Sequence, residues 1–385
     1  MSDSCRFVLR NSAKPAAVLI ALAVVTLAIP GLVSPGKPEA EARSSSLSPL
    51  PARPSGRTRL EDIRPIVGFA INAHHIADLQ LYLASVDRIA ELNANSLIVL
   101  TPMIQRYVDS NRIEFVPEKC ASDEQLVAIL QHARQRGLYT TLLPIVLIEN
   151  PGTKDWRGVI RPKNWDEWWS SYEQFIDRFI NIANQGGVDL LMVGSELNST
   201  ESQLSRWTHI IDRVRSRFSG QIGYSANWDR YAKVELWSKV DVMAVSSYFE
   251  LLRDDPDADE DELANAWTKE RDALLAAAKR WNRPLLLSEV GYPSVPWASA
   301  HPWNYVVPAG AKADHEAQAR CWRAFFKAWT GVIAGENSPA SGFFGYFWSP
   351  YYHGDAWDTG YGINGKPAHA VVKDGFALIR SRASR

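Results

Sequence analysis

The segment LLLSEVGYPS, residues Leu285–Ser294, ends an apolar run on a glutamate and follows it with the turn residues Gly291 and Pro293. The apolar run does not alternate with polar residues, which is typical of a strand covered on both faces, as in parallel sheets. An ionised carboxylate at the end of such a strand is costly unless it is paired, hydrogen-bonded or shifted in pKa. Glu289 therefore needs a reason for its place, and the rest of the chain supplies one.

Other apolar runs share this continuous pattern, and several are separated by helical patterns. Ser122 with Gln125 three residues later, for example, predicts a capped helix that ends before Gly137. The alternation of strand and helix predicts the α/β class, as a (β/α)8 TIM barrel in a single domain. A doubly wound sheet is the alternative, but no GxGxxG motif follows the first strand. The eight predicted strands lie in runs that begin at residues 66, 96, 139, 188, 221, 240, 283 and 343.

The composition narrows the class of function. The chain has 385 residues, of which 46% are hydrophobic, so it is long enough for a large core. Its net charge of -1 argues against nucleic acid as a partner, because phosphate binding needs a cationic surplus. The 15 tryptophans are more than a core needs and favour a cleft that stacks a ligand such as sugar. The 3 cysteines include no CxxC pair, and a disulfide between Cys120 and Cys321 stays open.

The N-terminus has the order of an export signal. Arg6, Arg10 and Lys14 precede the apolar run Pro15–Val33. The segment AEA at Ala40–Ala42 resembles a small-residue cleavage site but lies well past that run. We expect an exported, extracytoplasmic protein, secreted or held at the membrane only through this segment, and a monomer. Whether the signal is cleaved stays open. The predicted division is a signal peptide or signal anchor over residues 1–33, a Pro/Ser-rich linker over 34–60 and the barrel over 61–385.

Polar residues lie at the ends of the later predicted strands, where the loops of a barrel gather and active sites form. Two of them are glutamates, Glu196 and Glu289, on the fourth and seventh strands. Two carboxyl groups across a cleft, one protonated and one ionised, are the catalytic groups of most glycoside hydrolases. We expect donors such as Tyr248 to keep Glu289 ionised as the nucleophile, and Glu196 to be the acid/base with a raised pKa. Amide, hydroxyl and aromatic side chains end the neighbouring strands: Asn227, Trp228, Ser247, Tyr248 and Trp348.

Several blocks of the chain resemble glycoside hydrolase family 113, whose members are clan A barrels that act on β-mannan. The blocks are GSELNS, GYSANWD, VSSYFEL, LLLSEVGYPS and FFGYFWSPYYHGDAWDTGYGINGKPA, and the resemblance covers most of Ile66 to Val372. It implies a retaining mechanism without cofactor, with Glu196 as acid/base and Glu289 as nucleophile. It also implies that Tyr248 and Trp348 line the subsite at the scissile bond and that Asn227 and Trp228 contact sugar.

One departure from the family pattern bears on substrate. After the third strand the family tends to show a lysine and a histidine around a proline, whereas this chain has Leu143 and Ile145 around Pro144. Losing two polar sugar contacts would alter the subsite beside the bond, because hydroxyls left without partners cost affinity. The departure therefore predicts either a changed substrate or a loss of activity.

Further residues are candidates for ligand contacts. Trp156, in the loop after the third strand, and Trp297, in the loop after Glu289, are candidate sugar contacts, and Arg161 is a candidate to bind substrate or pair with an acid. The acidic run Asp254–Glu262 lacks the glycine of a calcium loop, and we interpret it as a solvated loop. His74 and His75 follow the first strand without metal-ligand spacing, so we expect no metal and no cofactor.

These observations predict a retaining glycoside hydrolase that cleaves a β-linked hexose polysaccharide or oligosaccharide, most simply β-1,4-mannan or a related glycan. Two alternatives remain: a β-glycanase of another specificity that acts on a secreted polysaccharide, and a barrel that binds carbohydrate without cleaving it. The sequence leaves open the exact glycan, and whether cleavage is internal or from a chain end.

Overall fold

A closed barrel of eight parallel strands forms the fold, in the strand order β1 to β8 and back to β1. The computed structural model describes residues 56–351 and 354–383. A strand lies in or overlaps each of the eight predicted runs, although β8 begins three residues before its run and ends at Gly345. The runs are apolar because one face of each strand meets the barrel interior and the other meets the helices. The strands are β1 Ile66–Asn72, β2 Ser96–Gln105, β3 Tyr139–Ile148, β4 Leu190–Ser195, β5 Gln221–Asn227, β6 Val242–Ser246, β7 Leu285–Val290 and β8 Ala340–Gly345.

Helices surround the barrel and begin at the caps that the sequence carries. Ser122 and Gln125 form the predicted capping box, in which Ser122 accepts from the Gln125 N–H and the Gln125 side chain accepts from the Ser122 N–H. Asp259, within the acidic run, forms a second capping box with Glu262. The helices are α1 Leu60–Ile63, α2 Leu79–Glu91, α3 Asp123–Gln135, α4 Trp165–Gly186, α5 Leu204–Arg215, α6 Glu260–Trp281, α7 His315–Ile333 and α8 Pro367–Ala383.

The seam between β8 and β1 closes the barrel and depends on a glycine. Ile66 pairs with Gly342 there, and Gly342 has φ +142°, a conformation that favours glycine. A Cβ atom at Gly342 would lie 1.9 Å from the carbonyl oxygen of Ile66. No other residue type therefore fits at this point of closure without moving a strand.

Aromatic residues fill the layer between strands and helices. Trp168 and Trp169 of α4 are buried and pack with Tyr172, so these tryptophans belong to the core. A second apolar cluster fills the barrel interior and contains Leu143 and Ile145 of β3. The two residues that depart from the family pattern are thus buried beneath the end of the barrel where β3 terminates.

Residues just before the predicted boundary at residue 61 contact the barrel. The Thr58 N–H donates to Asp189 at 2.9 Å, and the Arg57 Nε donates to the carbonyl of Val188 at 2.8 Å. The predicted export segment and most of the linker lie outside the described residues. Within the described ranges, no helix is long and apolar enough to cross a membrane.

Cys120 and Cys321 are both buried and free, so the disulfide left open from the sequence is not formed. Among residues 56–351 and 354–383, no cluster of three or more histidine, cysteine or acidic side chains could hold a metal ion.

Candidate active site

A cavity of about 360 Å³ opens at the end of the barrel where the strands terminate. It brings together Glu196, from the end of β4, and Glu289, from the end of β7, as the sequence predicts. The register of strand pairing shifts near the ends of β4 and β7. Such irregularities change the direction of the side chains that follow them. The cavity is also lined by Asn72, Arg157, Tyr248, Pro293, Trp303, Tyr305, Val307, Tyr346, Phe347, Trp357, Asp358, Thr359, Gly360, Tyr361 and Gly362.

Glu289 is buried at the floor of this cavity. The Tyr248 hydroxyl donates to Glu289 Oε2 at 2.7 Å, which is the donor that the sequence predicts. Glu289 Oε1 has no hydrogen-bond partner among the described residues. One carboxylate oxygen is thus fixed by Tyr248 while the other remains free to meet a reacting atom.

The protonation of Glu289 differs from the sequence expectation. Burial, followed by the nearby negative charge of Glu196, raises the pKa of Glu289 to about 7. Arg157 and the Tyr248 hydrogen bond oppose this shift without overcoming it. At neutral pH the free protein therefore keeps a larger fraction of Glu289 protonated than an ordinary glutamate would, whereas the sequence predicts an ionised carboxylate.

Glu196 is held by an arginine that the sequence analysis did not single out. Its Oε2 lies 2.7 Å from Nη2 of Arg157, and both side chains are almost completely buried. Glu196 also has φ +52°, a left-handed conformation that is uncommon and strained outside glycine. Its backbone N–H donates to the carbonyl of Ser225 at 2.8 Å, which fixes the turn at the end of β4.

Arg157 lies in a short 3-10 helix, Arg157–Val159, in the loop after β3. Burial lowers its pKa, but Glu196 and Glu289 more than offset this and leave the pKa above its ordinary value, so the guanidinium stays charged. Arg157 and burial also lower the pKa of His74 to about 4, with burial the larger effect, so His74 is neutral near this site. Arg157 is the one basic side chain among the described residues that line the cavity.

Three tyrosines form a wall beside Glu289. The rings of Tyr248, Tyr346 and Tyr361 meet edge to face, with centroids 5.5 to 6.3 Å apart. Burial raises the pKa of all three, so their hydroxyls stay protonated and can donate hydrogen bonds. The Asn72 side-chain amide donates to the Tyr346 hydroxyl at 3.0 Å and fixes its direction.

A buried ion pair secures a further part of the cavity wall, the segment of residues 357–362, which includes Tyr361. Lys366 Nζ lies 3.0 Å from Asp358 and donates to Ser294 and to the carbonyl of Gly360, each at 2.9 Å. Because Ser294 follows β7, these contacts join the wall to the loop that begins beyond Glu289. The shape of the cavity therefore depends on a lysine outside it.

Five predicted substrate contacts are not among the described residues that line the cavity. Trp348 packs against Phe69 with ring centroids 5.9 Å apart. The Asn227 side chain accepts from the backbone N–H of Trp228, whose ring meets Phe249. Trp156 lies over Gly158, and the Trp297 carbonyl accepts from the Ala300 N–H at 3.1 Å. The roles of Asn227, Trp228, Trp348, Trp156 and Trp297 in binding stay predictions.

The structure adds residues that sequence reasoning missed. Tyr346, two positions before Trp348, lines the cavity at the end of β8. Arg157 lies four positions before the candidate Arg161, which instead pairs with Asp155 at 3.0 Å and is largely exposed. Only the general cue of a polar loop after a barrel strand pointed to this region, and it does not distinguish the two arginines.

The fold and the paired carboxyl groups define a class, the (β/α)8 glycoside hydrolases. The family described as Glycoside Hydrolase Family 113 matches residues 79–366, and the chain belongs to this family. No curated protein matches the chain.

Solved structures share the fold. The family 113 β-mannanase AaManA from Alicyclobacillus acidocaldarius, in complex with ManMIm, has 25% sequence identity and a TM-score of 0.72, over 83% of this chain and 99% of its own. A second family 113 β-1,4-mannanase has 22% identity and a TM-score of 0.71, over 82% and 99%. A family 5 enzyme from Streptomyces cattleya, in complex with GlcNAc, has 13% identity and a TM-score of 0.54, over 83% and 81%, and shares the fold.

Proposed function

We infer that this glycoside hydrolase cleaves a β-linked hexose polysaccharide, β-1,4-mannan or a related glycan, with retention of configuration. The observation that carries the proposal is the meeting of Glu196 and Glu289 in one cavity, with Tyr248 bound to Glu289. The β-mannanases similar to this chain support the choice of substrate class.

The mechanism has two steps. Glu196 donates a proton to the glycosidic oxygen while Glu289 attacks the anomeric carbon, so the sugar–oxygen bond breaks and a glycosyl-enzyme ester forms. Glu196 then takes a proton from water, whose oxygen attacks the same carbon and releases Glu289. The Tyr248 hydroxyl stabilises the carboxylate of Glu289 before attack and after release.

The test measures sugar release by the full-length protein on mannan, glucomannan, cellulose and xylan. We expect cleavage of one polymer, a loss of at least about 10³-fold in Glu196→Gln and Glu289→Gln, and a first product with retained anomeric configuration. Glu201→Gln is the matched control, because Glu201 is also buried but accepts from Tyr224 away from the cavity lining. Inversion, or activity that survives in both variants, would reject the mechanism.

A further inference from the structure

Arg157 is unusual because it is buried and charged, and at least one of its N–H donors has no hydrogen-bond partner among the described residues. Only 6% of the residue is exposed, although it lines the cavity. A guanidinium carries five N–H donors. Nη2 pairs with Glu196, but Nε has no hydrogen-bond partner among the described residues. A buried donor without a partner costs free energy, so the guanidinium would gain if a ligand in the cavity replaced Glu196 and let it turn to satisfy more of its donors.

The ion pair with Glu196 also conflicts with the first chemical step. An adjacent guanidinium favours the ionised form of a carboxyl group, whereas a general acid must hold a proton. In the free protein, burial and then the charge of Glu196 raise the pKa of Glu289 to about 7. The contact between Arg157 and Glu196 must therefore be weakened when substrate binds.

The chemistry of the competing ligand follows from this requirement. A sugar hydroxyl is a neutral acceptor, and hydrogen bonds to an ionised acceptor are roughly twice as strong. A carboxylate can also engage the planar guanidinium through two parallel N–H groups, as a hydroxyl cannot. A carboxylate on the substrate is thus the group best able to replace Glu196 as the partner of Arg157.

We propose that the glycan cleaved here carries a carboxylate on the sugar beside the scissile bond, and that Arg157 binds it and releases Glu196 to act as the acid. This rests on the glycosidase function proposed above and narrows its substrate class to a uronic-acid-containing β-linked polymer. The proton held by Glu289 in the free protein passes to Glu196, so Glu289 becomes the carboxylate nucleophile. Tyr248 donates to that carboxylate throughout.

A matched pair of polymers tests the proposal. In a β-1,4-linked polymannuronate, chemical reduction of the carboxyl groups converts each uronate into mannose, so complete reduction gives β-1,4-mannan and partial reduction gives an acidic copolymer of the same linkage. We expect the full-length protein to have a kcat/KM about 10-fold or more higher on the partly reduced polymer than on the fully reduced one. Equal values on the two polymers would overturn the proposal.

Variants of Arg157 distinguish two roles, recognition of the substrate carboxylate and positioning of Glu196. Arg157→Gln should abolish the preference between the two polymers, and Arg157→Lys should keep part of it, because lysine retains the charge without the planar fork. Arg161→Gln, in the same loop but paired with Asp155, should keep the full preference. If Arg157→Gln lowers kcat/KM on both polymers by the same factor, Arg157 only positions Glu196 and the proposal is wrong.

A binding measurement keeps this inference distinct from the proposed activity. In Glu196→Gln the competing carboxylate is absent, so an oligosaccharide of mannose and mannuronate should bind about 10-fold tighter than its fully reduced form by calorimetry. If the wild type cleaves no polymer but this difference is found, the hydrolase function fails and the recognition by Arg157 stands. Equal binding of the two oligosaccharides contradicts the recognition whatever the activity.

Discussion

The cavity contains a carboxyl group, that of Glu289, in surroundings that disfavour its ionised form. Glu289 is buried, and Glu196 lies near enough to raise its pKa further. The favourable partners are Tyr248 and Arg157, which reduce the shift but do not reverse it. This arrangement is suited to a nucleophile that is activated when the proton moves, and it has a cost in stability that depends on pH.

That cost can be measured with Glu289→Gln, a neutral side chain that still accepts from Tyr248. The pKa of Glu289 in the folded protein, about 7, is above its ordinary value of 4.5, so its contribution to stability is present below pH 4.5 and lost as the pH rises through 7. We expect the variant to gain on the order of 3 kcal/mol over the wild type between pH 4 and pH 8 in urea unfolding. The exposed Glu235→Gln should show no such change, and a pH-independent difference for Glu289→Gln would refute the explanation.

At the scale of elements, the acidic run before α6 has a structural role. Asp259 accepts from the backbone N–H groups of Asp261 and Glu262 and so caps the helix, while Asp257 is exposed. We expect Asp259→Ala to lower the free energy of unfolding by about 1 kcal/mol, because the first turn loses its acceptor. Asp257→Ala, two residues away, should be neutral in the same urea titration. Equal effects of the two substitutions would mean that charge, not capping, governs this segment.

The elements also show what the sequence can and cannot predict. The strands, the Ser122 cap and both glutamates follow from local pattern, because buried parallel strands are continuous and capping is set within four residues. Trp348 and Tyr346 could not be distinguished, because residues two apart share one face of a strand. The strand ends at Gly345, and Tyr346 directly after it lines the cavity.

Arg157 could not be predicted for a different reason. Its pairing with Glu196 joins the loop after β3 to the end of β4 across the barrel rim, and no periodicity extends through such a loop. The same holds for Lys366, whose partners Asp358 and Ser294 come from separate loops. Side chains on loops are placed by the scaffold that surrounds them, so their contacts appear only once the barrel has closed.

Closure is a property of the whole molecule, and it depends on the seam between β8 and β1. Ile66 and Gly342 approach so closely that a Cβ atom at Gly342 would be 1.9 Å from the Ile66 carbonyl oxygen. Because the strands that hold Glu196 and Glu289 belong to the same closed sheet, a displaced β8 would also disturb β7 next to it.

We therefore expect Gly342→Ala to lower the melting temperature by roughly 5 °C or more, through the overlap with Ile66 and the strain of its φ of +142°. Gly331→Ala is the matched control, because Gly331 lies on the exposed surface of α7 with no atom within 4 Å of an added Cβ. Alanine is favoured over glycine within a helix by about 0.5–1 kcal/mol, so this variant should be as stable as the wild type or more stable. If Gly342→Ala has the same melting temperature as Gly331→Ala, the seam can open to admit a side chain, and closure does not require glycine there.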